Sequence, residues 1–216
     1  MIVYCKTVMG ILMHNSERPE TNSFQLPYHV VNLEQGTAEW HAWRNQGIGS
    51  SDAPVIMGEN PYKTRSRLLQ DKLNRVIVAP NPAMIRGTTL EPEARKRYED
   101  VSGIAVQPLC LQSTIFNWLR ASVDGLSDSG NTVVEIKCGE SVYRHAATTR
   151  QVPTYYVGQL QHILAVTNLP EIDFWCYLPG QPNVRLRVGR DDRYIERLLR
   201  VEQMFWDDIQ KNIRQV

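Results

Sequence analysis

The 216 residues carry 24 Lys and Arg against 23 Asp and Glu, a formal net charge of +1, with 42% hydrophobic and 22% charged residues. That balance excludes a wholly disordered chain, a collagen-like or coiled-coil rod, and a binder that grips nucleic acid through bulk positive charge. No apolar run approaches the roughly 20 residues of a membrane-spanning helix, so no membrane association is expected. Four cysteines, Cys5, Cys110, Cys138 and Cys176, lie far apart and form no CxxC pair. Reduced, partly buried thiols and a cytoplasmic location follow as the expectation.

In chain order, residues 1–32 read as a loosely ordered N-terminal leader and residues 33–216 as a single domain. Residues 1–13 fit either an extra strand or a loose tail, and Asn15 to Pro27 is polar and Pro-bearing. From Leu33 onward, Thr37 to Arg44 predicts a short helix with Thr37 as its N-cap. Ser50-Ser51-Asp52 caps a second short helix toward Met57, with Pro54 in its first turn. Leu68, Leu69, Leu73 and Val76 place a helix over Ser66 to Val76. Glu91 to Val101 predicts another, stopped by Gly103. The period then changes: Ala105 to Thr114, Trp118 to Leu126 and Thr132 to Cys138 read as strands, the last two joined by the turn Ser127-Asp-Ser-Gly-Asn131. Pro153 to Val166 predicts a helix, Ile172 to Leu178 and Val184 to Val188 predict strands, and Arg193 to Ile213 a long amphipathic helix. Its apolar stripe is Tyr194, Leu198, Val201, Phe205 and Ile209. The sum is an α/β fold with a central mixed sheet flanked by helices.

Chemistry concentrates in Ser122-Val-Asp124-Gly and Val133-Val-Glu135-Ile-Lys137-Cys138. Strand side chains alternate, so Val133, Glu135 and Lys137 share one face and Val134, Ile136 and Cys138 the other, apolar one. Asp124 lies across the hairpin near Glu135, which brings two carboxylates and an ammonium to one end of a sheet. Hard divalent cations take such oxygen ligands, and the Ile136 carbonyl is available between Glu135 and Lys137. A cation held there lowers the pKa of bound water, and Lys137 can orient that water or stabilise developing charge. Against this stands the ordinary reading of a Glu-x-Lys pair as a solvated strand face. Spacing alone leaves the two readings level. The five histidines show no metal-ligand spacing, and no Walker-type glycine loop occurs.

The string Asp124…Glu135-Ile-Lys137 matches a PD-(D/E)xK nuclease core, with Val123 where that name has Pro. Gln35 to Arg44, Gly49-Ser-Ser51, Arg86 to Arg95 and Tyr156 to Gln161 flank it in a fixed order. Together these five strings resemble the YqaJ-type viral recombinase family, to which lambda-type exonucleases belong, from about Leu33 to the C-terminal helix. The resemblance implies a restriction-endonuclease-like core with Asp124, Glu135 and the Ile136 carbonyl on the metal and Lys137 as catalytic lysine. It also implies Glu91 as a helix carboxylate reaching the metal waters, with Glu93 ranked behind it, and Gln159 as a positioning glutamine, with Gln161 as fallback. Arg44, Ser51 and Ser122 align with residues that hold a terminal 5′-phosphate. The family's second phosphate arginine falls near Tyr143, and this chain has Arg144 one residue later. Trp40 and Trp43 fit base stacking or, more commonly, core packing.

The implied activity is Mg²⁺-dependent digestion of duplex DNA from 5′ ends, with Mn²⁺ as a possible substitute. It leaves a 3′ overhang onto which a single-strand annealing protein loads in phage-type recombination. A ring-shaped homotrimer in the bacterial host cytoplasm, encoded by a phage or prophage, is implied as well. The rivals are a RecB-like or Cas4-like exonuclease, a restriction-type endonuclease, and a catalytically inactive DNA-binding scaffold. The scattered cysteines speak against the iron–sulfur centre of Cas4-like enzymes.

Overall fold

The computed structural model describes residues 26–214, so the expectations for residues 1–25 lie outside the described residues. The leader boundary needs correcting at its far end. Tyr28–Val31 forms an edge strand, β1, that pairs antiparallel with a later strand through Tyr28↔Ser113 to Val31↔Cys110. Tyr28 is buried, so this stretch belongs to the folded body rather than to a tail.

Helix α1 (Ala38–Asn45) starts where expected, with Thr37 Oγ1 accepting the Trp40 amide at 3.2 Å. The two-residue strand β2 (Ile48–Gly49), a 3-10 turn (Ser50–Asp52) and helix α2 (Ala53–Ile56) follow. Helix α3 (Arg65–Leu73) is capped by Thr64. Helix α4 runs from Pro82 to Ser102, a full nine residues ahead of the expected Glu91 start. Gly87 and Pro92 read as interruptions, yet Asn81 caps the true start by accepting the Met84 amide at 2.9 Å. Burial of Ala94 and Tyr98 holds the helix across the missing Pro92 donor. It ends at Gly103, whose φ of +71° is the left-handed cap position.

Strands β3 (Val106–Ser113), β4 (Leu119–Ser127) and β5 (Val133–Lys137) form the expected meander. Helix α5 (Glu140–Thr149), which the sequence reading passed over, starts without a side-chain cap at Gly139 and buries Val142, Tyr143 and Ala146. Helix α6 (Thr154–Thr167), strands β6 (Glu171–Cys176) and β7 (Val184–Gly189), and helix α7 (Asp192–Arg214) complete the chain. The sheet order is β1-β3-β4-β5-β6-β7, with β2 pairing β4. β5 and β6 run parallel, as do β2 and β4, and the other pairs are antiparallel. This is the expected mixed sheet flanked by helices.

The two faces carry separate cores. Val134 and Ile136 of β5 and Cys138 just after it pack with Trp175 and Tyr177 under Ala94 and Tyr98 of α4. On the other face Val133, Phe174 and Cys176 pack against Leu160, Ile163 and Leu164 of α6. Both faces of β5 are therefore covered, and the Glu135 face is not the solvated one the ordinary reading requires. Gly158 lets α6 approach α2, since a Cβ there would lie 3.1 Å from the Pro54 amide nitrogen.

Three side-chain bonds clamp α4 to β6 and its extension. Tyr98 donates to Asp173 Oδ2 at 2.7 Å, Trp175 Nε1 to the Ala94 carbonyl at 3.1 Å, and the Tyr177 hydroxyl to Glu93. Arg185 adds a 2.6 Å bond to Asp173, which is 3% exposed. Burial alone would raise the Asp173 pKa, but donation from Arg185 and Tyr98 outweighs it and the net shift is downward. The associated stability is present above the unfolded carboxylate range, about pH 4, and is lost as pH falls through the lower folded value. Asp173→Asn is expected to cost on the order of 2 kcal/mol at pH 7. In urea titrations the difference from the parent should shrink below about pH 4.

Candidate active site

Strands β4 and β5 deliver the central groups, because the turn between them fixes their register at Gly125↔Val134 and Leu126↔Val133. Asp124 therefore lies beside the start of Glu135-Ile136-Lys137, and its Oδ2 accepts the Ile136 amide at 2.7 Å. Ile136 reaches Asp124 through its N–H while its side chain fills the core beneath α4. Glu135, 2% exposed, accepts from Lys137 and from Gln159 Nε2, the latter at 2.6 Å. Gln159 is thus placed on α6 as the group that orients Glu135. Gln161 is not at this site: its amide bonds the Gly189 carbonyl and the Asp191 amide, both at 2.9 Å, tying α6 to the end of β7.

Glu91 approaches from α4. Arg95, one turn along, donates to its carboxylate and, through Nε, to the Asp124 backbone carbonyl at 2.6 Å. One guanidinium thereby fastens the helix carboxylate to the strand carrying Asp124. Glu93 is exposed and is held away by Tyr177.

The electrostatics are those of carboxylates crowded in a desolvated place. Burial and then the Asp124 charge push Glu91 up to about 7, and the same two causes push Glu135 up to about 7. Burial raises Asp124 as well, against the opposing Lys137 charge and Ile136 amide. Burial would lower Lys137, but Glu135 and Asp124 outweigh it and hold the ammonium well above the ordinary lysine range. Lys137 therefore donates and does not act as a base at neutral pH. Among the described residues no three His, Cys, Asp or Glu side chains are already gathered as a cation cage. Glu135 Oε2 is nonetheless buried with no hydrogen-bond partner. An orphaned carboxylate oxygen beside two other raised carboxylates is an all-oxygen donor set whose repulsion a divalent cation relieves, so the residues fit a hard metal.

The second expected group stands beside the first. Arg44 Nη2 donates to Ser51 Oγ at 2.6 Å, and Trp40 Nε1 donates to Ser122 Oγ at 2.8 Å. The Arg44 guanidinium lies 4.5 Å from the Trp40 ring centroid. A buried ion pair stiffens the floor: Lys72 bonds Asp52 at 2.7 Å and the Arg44 and Gly47 carbonyls at 3.1 and 2.9 Å. Trp43 is buried in the cleft wall, where it bonds Gln112 and lies beneath the Arg120 guanidinium. Arg144 is exposed on α5, paired with Glu140, and does not line the cleft.

One cleft of about 190 Å³ joins both groups: Arg44, Ser51 and Ser122 line it together with Asp124, Glu135, Lys137 and Gln159. Arg120 lines it too, and the sequence reading missed it. Residues 120, 122 and 124 alternate onto one face of β4, which is the signal that was there to be read. Arg120 is 6% exposed, donates to the Trp43 carbonyl, and its Nε has no partner. It makes no ion pair with a carboxylate among the described residues, and burial drags its pKa down to about 10.

Residues 39–170, more than half of the chain, match the YqaJ-like viral recombinase domain. The chain belongs to that family. It is 31% identical over 184 residues to the uncharacterized protein YqaJ of Bacillus subtilis (strain 168), covering 82% of this chain and 57% of that protein. The chain thus spans little more than half the length of this curated relative. The crystal structure of an alkaline exonuclease from Laribacter hongkongensis superposes with a TM-score of 0.74 at 26% identity, covering 83% of this chain and 95% of that one. The same enzyme in complex with dAMP gives a TM-score of 0.75 at 26% identity with the same coverage. A phage-related exonuclease from Haemophilus somnus 129PT shares the fold at a TM-score of 0.59 and 13% identity, over 77% of this chain and 96% of that one. The fold of the YqaJ-family chain is accordingly that of the PD-(D/E)xK alkaline exonucleases. No described helix is long and apolar enough to cross a membrane.

Proposed function

We propose that this chain is a Mg²⁺-dependent exonuclease that digests duplex DNA from its 5′ ends and leaves 3′ single strands. The observation that carries the reading is the single cleft in which a carboxylate–lysine cluster adjoins a cluster of arginines and hydroxyls. The first suits attack on a phosphodiester and the second suits a phosphate group. The Laribacter enzyme's binding of dAMP, a nucleoside monophosphate of the kind an exonuclease releases, supports the same reading.

Asp124, Glu135, Glu91 and the Ile136 carbonyl would hold the cation. Bound Mg²⁺ or Mn²⁺ supplies Lewis-acid polarisation of the phosphate and a more acidic water. Lys137, fixed as a cation by Glu135, donates from Nζ toward the attacking water or the charge growing on phosphate. Gln159 keeps Glu135 aimed, and Arg95 keeps Glu91 near Asp124. Arg44, Ser51 and Ser122 take the terminal 5′-phosphate. Arg120 takes the place of Arg144, which does not line the cleft, because a buried guanidinium with no carboxylate partner is compensated by a bound anion. Arg120→Met is expected to cut the preference for 5′-phosphorylated over 5′-hydroxyl duplex by about tenfold. Initial rates on the two substrates measure that ratio.

The wider biology belongs to the same proposal: host cytoplasm, a phage or prophage origin, a single-strand annealing partner and a homotrimer. Exposed Val76, Ile77 and Val78 ahead of α4 and Met84 and Ile85 in its first turn supply apolar surface for a subunit contact. The test of the activity pairs linear duplex with covalently closed plasmid in Mg²⁺, then adds EDTA. Linear DNA should disappear, the plasmid should survive, and EDTA should stop digestion. Plasmid cutting would point instead to a restriction-type endonuclease.

A further inference from the structure

The groups assigned so far recognise phosphate, and phosphate contacts position a strand without touching its bases. A second feature leads outward from the same cleft. The Lys137 ammonium sits 5.0 Å from the centroid of the Tyr156 ring. Tyr156 lies 4.6 Å from Tyr155, and Tyr155 lies 6.1 Å from Tyr62 in an edge-to-face pair. Exposure rises along the series: Tyr155 and Tyr156, in the first turn of α6, are half-buried, whereas Tyr62 is 82% exposed.

The Tyr62 ring is open to solvent, and the loop that carries it is held in place. Its loop, between α2 and α3, is pinned at each end. The Glu59 and Asn60 amides donate to the Pro54 carbonyl at 2.8 and 3.0 Å. Asn60 Oδ1 accepts the Tyr62 and Lys63 amides at 2.8 and 3.0 Å. Lys63 bonds Asp71 of α3 at 2.8 Å. Tyr62 thus stands exposed on a pinned loop, linked by ring contacts to the lysine assigned to the chemistry.

We propose that Tyr62, Tyr155 and Tyr156 form a stacking platform for unpaired nucleobases at the DNA end being processed. The inference rests on the nuclease reading and adds a base-contacting subsite to it. Stacking on aromatic faces tolerates every base, which suits an enzyme that must advance through any sequence. Continuity with the catalytic lysine favours a base over a protein partner as the occupant, because bases adjoin the phosphate being cut.

The test uses the full chain and its Tyr62→Ala, Tyr62→Leu and Tyr62→Trp variants, with Ca²⁺ replacing Mg²⁺ to prevent turnover. The probe is a 5′-phosphorylated duplex with mismatched terminal pairs and 2-aminopurine at an unpaired position. The parent and Tyr62→Trp should quench the probe on binding. Tyr62→Ala and Tyr62→Leu should lose the quench and bind about tenfold more weakly. Their thermal midpoints should match the parent's, given the exposure of Tyr62. Parental quenching and affinity in the Ala and Leu variants would overturn the platform. A changed oligomer mass in Tyr62→Ala with unchanged DNA binding would assign the ring to a protein contact and overturn it as well. If the parent neither binds nor cuts DNA, the nuclease reading itself fails. If it cuts DNA in Mg²⁺ while Tyr62→Ala binds normally, the platform alone fails.

Discussion

Lys137→Ala is expected to slow DNA digestion by at least about a thousandfold, with DNA binding largely kept. The ammonium contacts Glu135 and faces Asp124, so its loss removes charge stabilisation at the place assigned to attack on phosphate. The fold should survive, because Glu135 already titrates near neutrality and can take up a proton when its partner is gone. Asp124→Ala should have a similar effect by a different route, deleting a carboxylate and freeing the Ile136 amide it holds. Binding persists in both because Arg44, Ser51, Ser122 and Arg120, which also line the cleft, are left in place. Single-turnover rates and equilibrium binding on the same duplex separate the two quantities. Parental rates in both variants would sink the site assignment.

Glu202→Ala is expected to destabilise the protein by on the order of 3 kcal/mol, lowering the thermal midpoint by roughly 10 °C. Glu202 and His162 are both 0% exposed, and His162 Nδ1 lies 2.7 Å from Glu202 Oε1. His162 Nε2 donates to the Arg120 carbonyl at 2.8 Å, so the pair joins α6 and α7 to the strand carrying Arg120, Ser122 and Asp124. Burial alone would lower His162, but the Glu202 charge and the bonds from both partners outweigh it, and its pKa is raised. A raised histidine contributes stability that is full below its unfolded value of about 6.5 and is lost as pH rises through the folded value. Burial raises Glu202 too, which runs in the same direction. Parental stability should therefore fall as pH climbs above about 6.5, and Glu202→Ala should show a smaller decline. Chemical denaturation at several pH values measures both. An unchanged pH slope in the variant would show that this pair is not its source.

The final helix explains why part of the fold was readable and part was not. Its expected stripe was Tyr194, Leu198, Val201, Phe205 and Ile209, whereas the buried positions are Ile195, Leu198, Glu202, Phe205 and Ile209. Helical spacing found the helix. Hydropathy could not assign an inward glutamate, because its partner, His162, lies 40 residues away. Arg120 was legible in part, since strand alternation puts it on the face of Ser122 and Asp124, but its burial without a carboxylate partner shows only in three dimensions. Asp124, Glu135 and Lys137 were readable because they lie in one hairpin, where alternation and a strong turn fix their relation locally. Gln159 and Glu91 needed the family resemblance, since each arrives from a helix on a different face of the sheet. Pro92 and Gly87 concealed the first half of α4, because local propensity counts their cost and not the burial that offsets it.

The near-neutral total of 24 basic and 23 acidic residues is likewise consistent with a local grip on DNA. Asp124 and Glu135 converge with Lys137 in the cleft, and Arg44 and Arg120 line the same cleft without an ion pair to a carboxylate among the described residues. The most direct test is a time course on linear, 5′-phosphorylated duplex in Mg²⁺, labelled in parallel at the 5′ or the 3′ end of one strand. Prompt release of the 5′ label as mononucleotide, with the 3′ label staying in long product, is the expected course. Release of the 3′ label first would contradict it.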